Sequence, residues 1–471
     1  MNKQNSFASG IFNSFKPTES VLPENMYQSK LPQFFEDLFS KDSATHKRAQ
    51  QSISNIFFSA DGSKILYNAI NRLSIKDKDY FDSKTRLIAE LGYIKDSVSN
   101  DIPGYLKKIY EQTADTSMFQ NEAIIALARL KTTGSFKVLK ELMLQDPPIF
   151  GDNSDYSSFF NQFYDSLNLS AELFPQLLQL STLNDYKENI TELLVTLVDS
   201  GYIKAKDYED YFSGIYIDGK VALRKQQAKE EKKLEEELKK EAAEEDDPER
   251  EYRSGRSNDY GLNDYAVLLM PFYESNKNVQ QFFTRLLLSK DDKVRMNTAV
   301  LFLRNKKEVP DSIFQKLAAD DKFRGSLYYK LEEIERLDKF PKAYANQLSL
   351  AKSYLVMQNE YDKMDSLVFL KKMEAATKNK KGLVYFFKYR IKKTDDWKIA
   401  FTGLQPFNSK ELSSDDILTT LTDKKLQGDQ PVDDQLNKEL KKVVFRFYNS
   451  GKNFFTSDYN YNQFQYNNYD D

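Results

Sequence analysis

The chain has 471 residues, with 68 Lys and Arg against 71 Asp and Glu and a formal net charge of −3, so no strong global field draws it to nucleic acid or an anionic membrane. Hydrophobic residues make up 40% and charged residues 30%, which is enough for buried cores and too polar for a membrane protein. With no Cys and one His, disulfide scaffolds, thiol nucleophiles, Cys-type zinc sites and multi-histidine metal centres are excluded.

Residues 1–30 read as an irregular arm. Its opening, MNKQNSFASGIFNSFKP, lacks the apolar core of a secretory signal, so a cytoplasmic location is expected as written, and an envelope location if the chain is part of a longer secreted protein. Residues 31–222 form a first helical-repeat segment. One hairpin places Ala49, Ile53, Ile56 and Phe57 on its first helix and Ile65, Leu66, Ala69, Ile70 and Leu73 on its second. The next has Ile88, Leu91 and Ile94, then Leu106 and Ile109; the third has Ile124, Leu127 and Leu130, then Phe136, Leu139, Leu142 and Met143. Between these two the first-helix positions are offset by 36 residues (88 to 124, 91 to 127, 94 to 130). A lone hairpin of this size cannot bury its apolar stripe, so successive hairpins must stack and share a core. Gly134 and the Pro147–Pro148 stop give the third unit a HEAT-like look, and DDKVRMNTAVLFL from Asp291 has the same character.

The helical reading continues from Phe174 to Gly201, with Pro175 in a first turn and Gly201 as a left-handed cap, and another short pair is expected from Tyr202 to Val221. The tract 223–260 is nearly all charged and reads as a solvated helix or linker. Residues 261–364 resume helical stripes. Residues 365–448 hold β-rich runs, SLVFLKKMEAA, LVYFFKYRIKK and WKIAFTGL, which predict a three-stranded antiparallel meander followed by a short element over Val443–Tyr448. In the middle strand Tyr385, Phe387, Tyr389 and Ile391 alternate with Phe386, Lys388, Arg390 and Lys392. Residues 449–471, rich in Asn and Tyr, read as a disordered tail. The fold class is therefore mainly α, a HEAT-like α-solenoid in two segments with a small meander near the C-terminus.

The segments Lys380–Pro406, Tyr110–Leu130, Gln145–Tyr156 and Leu193–Phe212 resemble the long C-terminal region of bacterial TraB/GumN-family proteins. The resemblance implies a helical companion region whose partner is a catalytic domain carrying Gly-x-x-His motifs. The only histidine here, His46, follows Ser43, Ala44 and Thr45, so no catalytic residue of the family carries over.

No catalytic, cofactor or metal residue is assigned. His46 is expected to be exposed at a helix start. Gly151 to Asp155 crowd oxygen ligands without an EF-hand pattern and read as a loop cap; Glu244 to Asp247 read as solvated charge. The one local anomaly is basic and aromatic: Lys388, Arg390, Lys392 and Lys398 around Trp397 and Phe386. The same aromatics are what a small sheet needs as a core to cap the exposed end of a helical stack, which is the preferred reading; the alternatives are an interaction surface for a protein or peptide and a platform for single-stranded bases. The expected function is a non-catalytic interaction scaffold with Tyr, Phe and Arg at exposed first-helix positions as anchors. The rivals are a hydrolase with carboxylates gathered from distant helices and single-stranded nucleic-acid binding.

Overall fold

The computed structural model describes residues 30–59, 62–94, 101–113, 117–151, 153–243, 261–358, 364–376, 381–392, 395–413 and 418–449. The expected N-terminal arm (but for Lys30), the cluster Glu244 to Asp247 and the tail from residue 450 lie outside them, as do the side chains of Asp152 to Asp155. The chain divides into two compact units, residues 1–193 and 194–471.

The first unit runs through α1 (Leu31–Leu38), α2 (Ser43–Gln51), α3 (Ser63–Arg72), α4 (Tyr80–Leu91), α5 (Ile102–Gln112), α6 (Ser117–Arg129), α7 (Thr133–Gln145), α8 (Asn153–Tyr164), α9 (Leu167–Ala171) and the start of α10 (Asn184–Asp199). Local chemistry explains the helix starts. Asp42 accepts from the Thr45 amide and Asp101 from the Gly104 amide, while Thr132 and Ser135 form a reciprocal capping box at α7. Every apolar position expected in the second and third hairpins is buried.

The helices also pack in alternation. α4 lies on α6 and α6 on α8, while α5 lies on α7, in addition to the contacts between sequence neighbours. Polar bonds recur with the same period. Tyr105 Oη donates to Asn71 over 34 residues, Lys107 to Glu141 over 34, Tyr110 to the Asp146 carbonyl over 36 and Lys131 to Asp165 over 34. One close approach is at the end of α4, where a Cβ on Gly92 would stand 2.9 Å from the Ala126 Cα and 3.0 Å from its carbonyl oxygen. Gly92 has a helical φ of −69°, at which alanine ordinarily stabilises by about 0.4–1 kcal/mol. Backbone collision outweighs that gain here, so Gly92→Ala is expected to lower the unfolding free energy by about 1–3 kcal/mol, read from urea denaturation.

Three expectations for this region change. The first helix of the first hairpin ends at Gln51; Ile53–Asn55 form a 3₁₀ turn, Ile56 is extended and Phe57 is 80% exposed. The run Ser-Ile-Ser-Asn supplies side chains that compete for backbone groups, as the Ser52 hydroxyl does by bonding the Arg48 carbonyl. His46 is buried, not exposed: its Nδ1 lies 2.6 Å from the Leu38 carbonyl, an orphan acceptor at the end of α1, and its Nε2 lies 3.6 Å from Asp79. Gln176–Thr182 is 3₁₀ rather than α.

The second unit begins within α10. Gly201 adopts the left-handed conformation expected of it, with φ +75°, and lets the Tyr202 amide reach the Leu197 carbonyl. Two 3₁₀ turns, Ala205–Asp207 and Glu209–Tyr211, replace the first member of the helix pair expected over Tyr202–Val221, while the rest of that range, from Phe212, is helical. α11 (Phe212–Ala243) then extends for 32 residues, about 48 Å. The charged tract is thus continuous helix as far as Ala243. Ala222 and Leu223 join the core, and Glu230 accepts from the Ser289 hydroxyl and the Lys290 amide, fixing the turn before α14; beyond it the described side chains are exposed.

α12 (Leu262–Leu269), α13 (Lys277–Leu287), α14 (Asp292–Arg304), α15 (Asp311–Ala319), α16 (Asp321–Glu333) and α17 (Gln347–Met357) follow. α12 packs on α14, α14 on α16 and α11 on α13. α17 carries the sheet.

The sheet has four antiparallel strands in sequence order, β1 (Ser366–Ala376), β2 (Lys381–Arg390), β3 (Lys398–Gln405) and β4 (Leu418–Lys425), not three. β4 escaped the sequence pattern because LTTLTDKK has two large apolar residues and a charged end; its Thr419 hydroxyl pairs with Thr402 at 3.1 Å in the interior. The segment Val443–Tyr448 belongs to helix α18 (Val432–Asn449). There Leu436, Leu440 and Val444 recur at a four-residue spacing and pack on the sheet, a longer pattern than the local aromatic run.

Candidate functional site

Both faces of β2 are covered. Tyr385, Phe387 and Tyr389 pack with Ala351 and Leu355 of α17, while Val384 and Phe386 pack with Ile399, Phe401 and Leu436 of α18. Phe386 is fully buried. As a stacking platform for a base it is therefore occupied by the protein's own helix.

The other residues of the expected basic surface come together at the far end of that face. Lys388 Nζ and the Arg390 guanidinium lie 4.5 and 4.7 Å from the centroid of half-buried Trp397. Arg390 also bonds Asp365 at 2.9 Å, and Lys398 bonds Asp423 at 2.9 Å. That hydrogen bond raises the Lys398 ammonium above its usual range. Lys392 is exposed, and its amide bonds Asp395. Lys381 is exposed at the start of β2; Lys378, Lys380 and Lys393 lie outside the described residues. The cluster is a cation–aromatic corner with two of its four cations already paired to carboxylates, a more neutral surface than the sequence pattern alone suggests.

Two features did not stand out in the sequence. The first is an apolar ridge on the first unit. Phe81 and Met118 occupy the second positions of α4 and α6, Ile149 precedes α8 and Leu183 precedes α10; they are 45%, 49%, 75% and 43% exposed. Contacts of adjacent residues join the segments that carry them: Phe81 stacks on Phe119 at 5.9 Å, Asn121 donates to the Ile149 carbonyl at 3.0 Å, and Tyr186 donates to the Pro148 carbonyl. Only their recurrence near the start of successive first helices could have signalled them.

The second is a carboxylate pair between α4 and α6. Glu90 is 8% exposed; Glu122 accepts from Arg129 at 2.8 Å. Burial pushes the Glu90 carboxyl up to about 7, with Arg129 opposing and Glu122 adding to the shift. Burial also raises Glu122, against the pull of Arg129. Packed between helices, the pair can hold a proton. A cleft of about 230 Å³ in the second unit is lined by Asp311, Gln315, Asp338 and Lys339 among others, and Lys339 already bridges to Asp311 at 3.2 Å.

Among the described residues no group of three or more His, Asp or Glu is placed to hold a metal ion, and no helix is long and apolar enough to cross a membrane. The fold defines a mainly helical protein with a four-stranded antiparallel sheet near its C-terminus. No protein-family model, curated protein or solved structure matches the chain.

Proposed function

We propose that this protein is a non-catalytic helical-repeat scaffold that binds a protein partner along its outer surface. One observation carries the reading: tertiary packing and polar bonds in the first unit recur at one hairpin's separation, 32 to 36 residues, as in the pairs Gln50–Asp82, Lys107–Glu141 and Tyr110–Asp146. Such nearest-neighbour stacking spends the inner stripe of each hairpin on the next and leaves function to the outside. The ridge Phe81–Met118–Ile149–Leu183 supplies the anchors, in keeping with the preference of interfaces for aromatic and Met side chains. The resemblance to TraB/GumN-family proteins suggests an N-terminal catalytic domain as partner.

Placing a photo-crosslinking benzoylphenylalanine at 81, 118 or 149 in the native cells tests this. One common protein adduct from all three positions, and none from exposed Lys137 on α7, is the expected result. Equal labelling from Lys137, or no adduct from the ridge, would contradict it.

A further inference from the structure

The Glu90–Glu122–Arg129 cluster lies where two stacked hairpins meet, beside the Gly92 contact with Ala126. One guanidinium serves two carboxylates. Arg129 donates to Glu122 and places its Cζ 5.3 Å from the Tyr93 ring centroid, leaving Glu90 with no hydrogen bond from the described side chains. Among the other elements packed on α4, none brings a cation that acts on Glu90. The turn Ile53–Asn55 has no ionisable group; α3 brings Lys64, Tyr67 and Arg72, of which Tyr67 stacks on Tyr105 at 3.8 Å and Arg72 on Phe39 at 3.9 Å. The charges acting on Glu90 are Arg129 and Glu122, both from α6.

We propose that this joint is proton-sensitive: with a proton held by the carboxylate pair α4 closes on α6, and loss of that proton loosens the end of α4 from its neighbour. Glu90 is 8% exposed, so a second negative charge there is largely cut off from solvent. The sign follows from linkage. A carboxyl raised from 4.5 to about 7 on folding stabilises the closed form fully below 4.5, and that contribution is lost as pH rises through about 7. The proposal concerns the repeat joint and holds whatever partner the outer surface takes.

Hydrogen–deuterium exchange of the full chain, corrected for the intrinsic pH dependence of exchange, tests it. Between about pH 5.5 and pH 8, protection over residues 84–94 and 117–129 is expected to fall by about 10- to 100-fold relative to α16 and α17. E90Q, which keeps shape and removes the charge, is expected to hold its protection across that range. E122Q serves as the second variant: it frees Arg129 to pair with Glu90 and is expected to flatten the same step. A wild-type joint with pH-independent protection, or an E90Q or E122Q joint that loosens as the wild type does, would overturn the proposal.

Discussion

Replacing Arg324 by methionine is expected to lower the unfolding free energy of the second unit by about 3–5 kcal/mol. The side chain is 5% exposed and holds four acceptors: the Ala318 carbonyl at 2.6 Å, the Ala319 carbonyl at 3.1 Å, the Ser349 carbonyl at 3.0 Å and the Asp321 carboxylate at 2.5 Å. It thereby closes the end of α15, whose last carbonyls have no intrahelical donor, and ties it to α17. Its Cζ also lies 5.0 Å from the Tyr344 ring centroid. Methionine matches much of the volume, so the loss measures unsatisfied polar groups rather than a cavity. Asp321 keeps Lys352 at 2.7 Å, which keeps the loss within that range. Arg324→Lys restores the charge without the planar fork and is expected to recover only part of the stability. Urea denaturation monitored by helical circular dichroism is the check; a loss under about 1 kcal/mol for the methionine variant would show that these bonds do not hold the unit.

Phe386→Ala is expected to cost about 3–5 kcal/mol, because it removes a fully buried ring between the sheet and α18. Phe386 faces Phe401 across the strand pair, with ring centroids 5.7 Å apart. By contrast, changing Lys388 and Arg390 together to Ala is expected to cost about 1–2 kcal/mol, the scale of two partly exposed cation–aromatic contacts and one ion pair. The ordering distinguishes a core phenylalanine from a surface platform. A loss under about 1 kcal/mol for Phe386→Ala would place the ring outside the core instead.

Much of the helical architecture was legible because amphipathic periodicity is a local consequence of burial. Ile88, Leu91, Ile124 and Leu127 lie on the faces their spacing dictates, and all are fully buried. Gly201 was legible for the same kind of reason, a left-handed backbone that glycine adopts without strain. The misses share a cause in tertiary context. His46 looks like a polar residue at an exposed helix start, yet the Leu38 carbonyl across the turn makes its burial favourable. The alternation of β2 is compatible with a core face and with a basic surface alike; α18, of which the sequence pattern shows only a short element over Val443–Tyr448, packs on the Val384 and Phe386 side. The candidate site followed the same division. Lys388, Arg390 and Trp397 do meet, but the carboxylates that pair with Arg390 and Lys398, Asp365 and Asp423, come from 25 residues away in each case. Glu90 and Glu122 lie 32 positions apart in sequence, and only the stacking of α4 on α6 makes them neighbours.

Stacking of successive hairpins is what every functional statement here depends on, and zero-length carbodiimide cross-linking of the intact chain, followed by peptide mass spectrometry, tests it most directly. Lys107 and Glu141 stand 2.6 Å apart and Lys131 and Asp165 stand 2.9 Å apart, so amide links between both pairs are expected, each spanning one hairpin. Recovery of neither link, with these lysines joined instead to carboxylates several hairpins away, would contradict the stack.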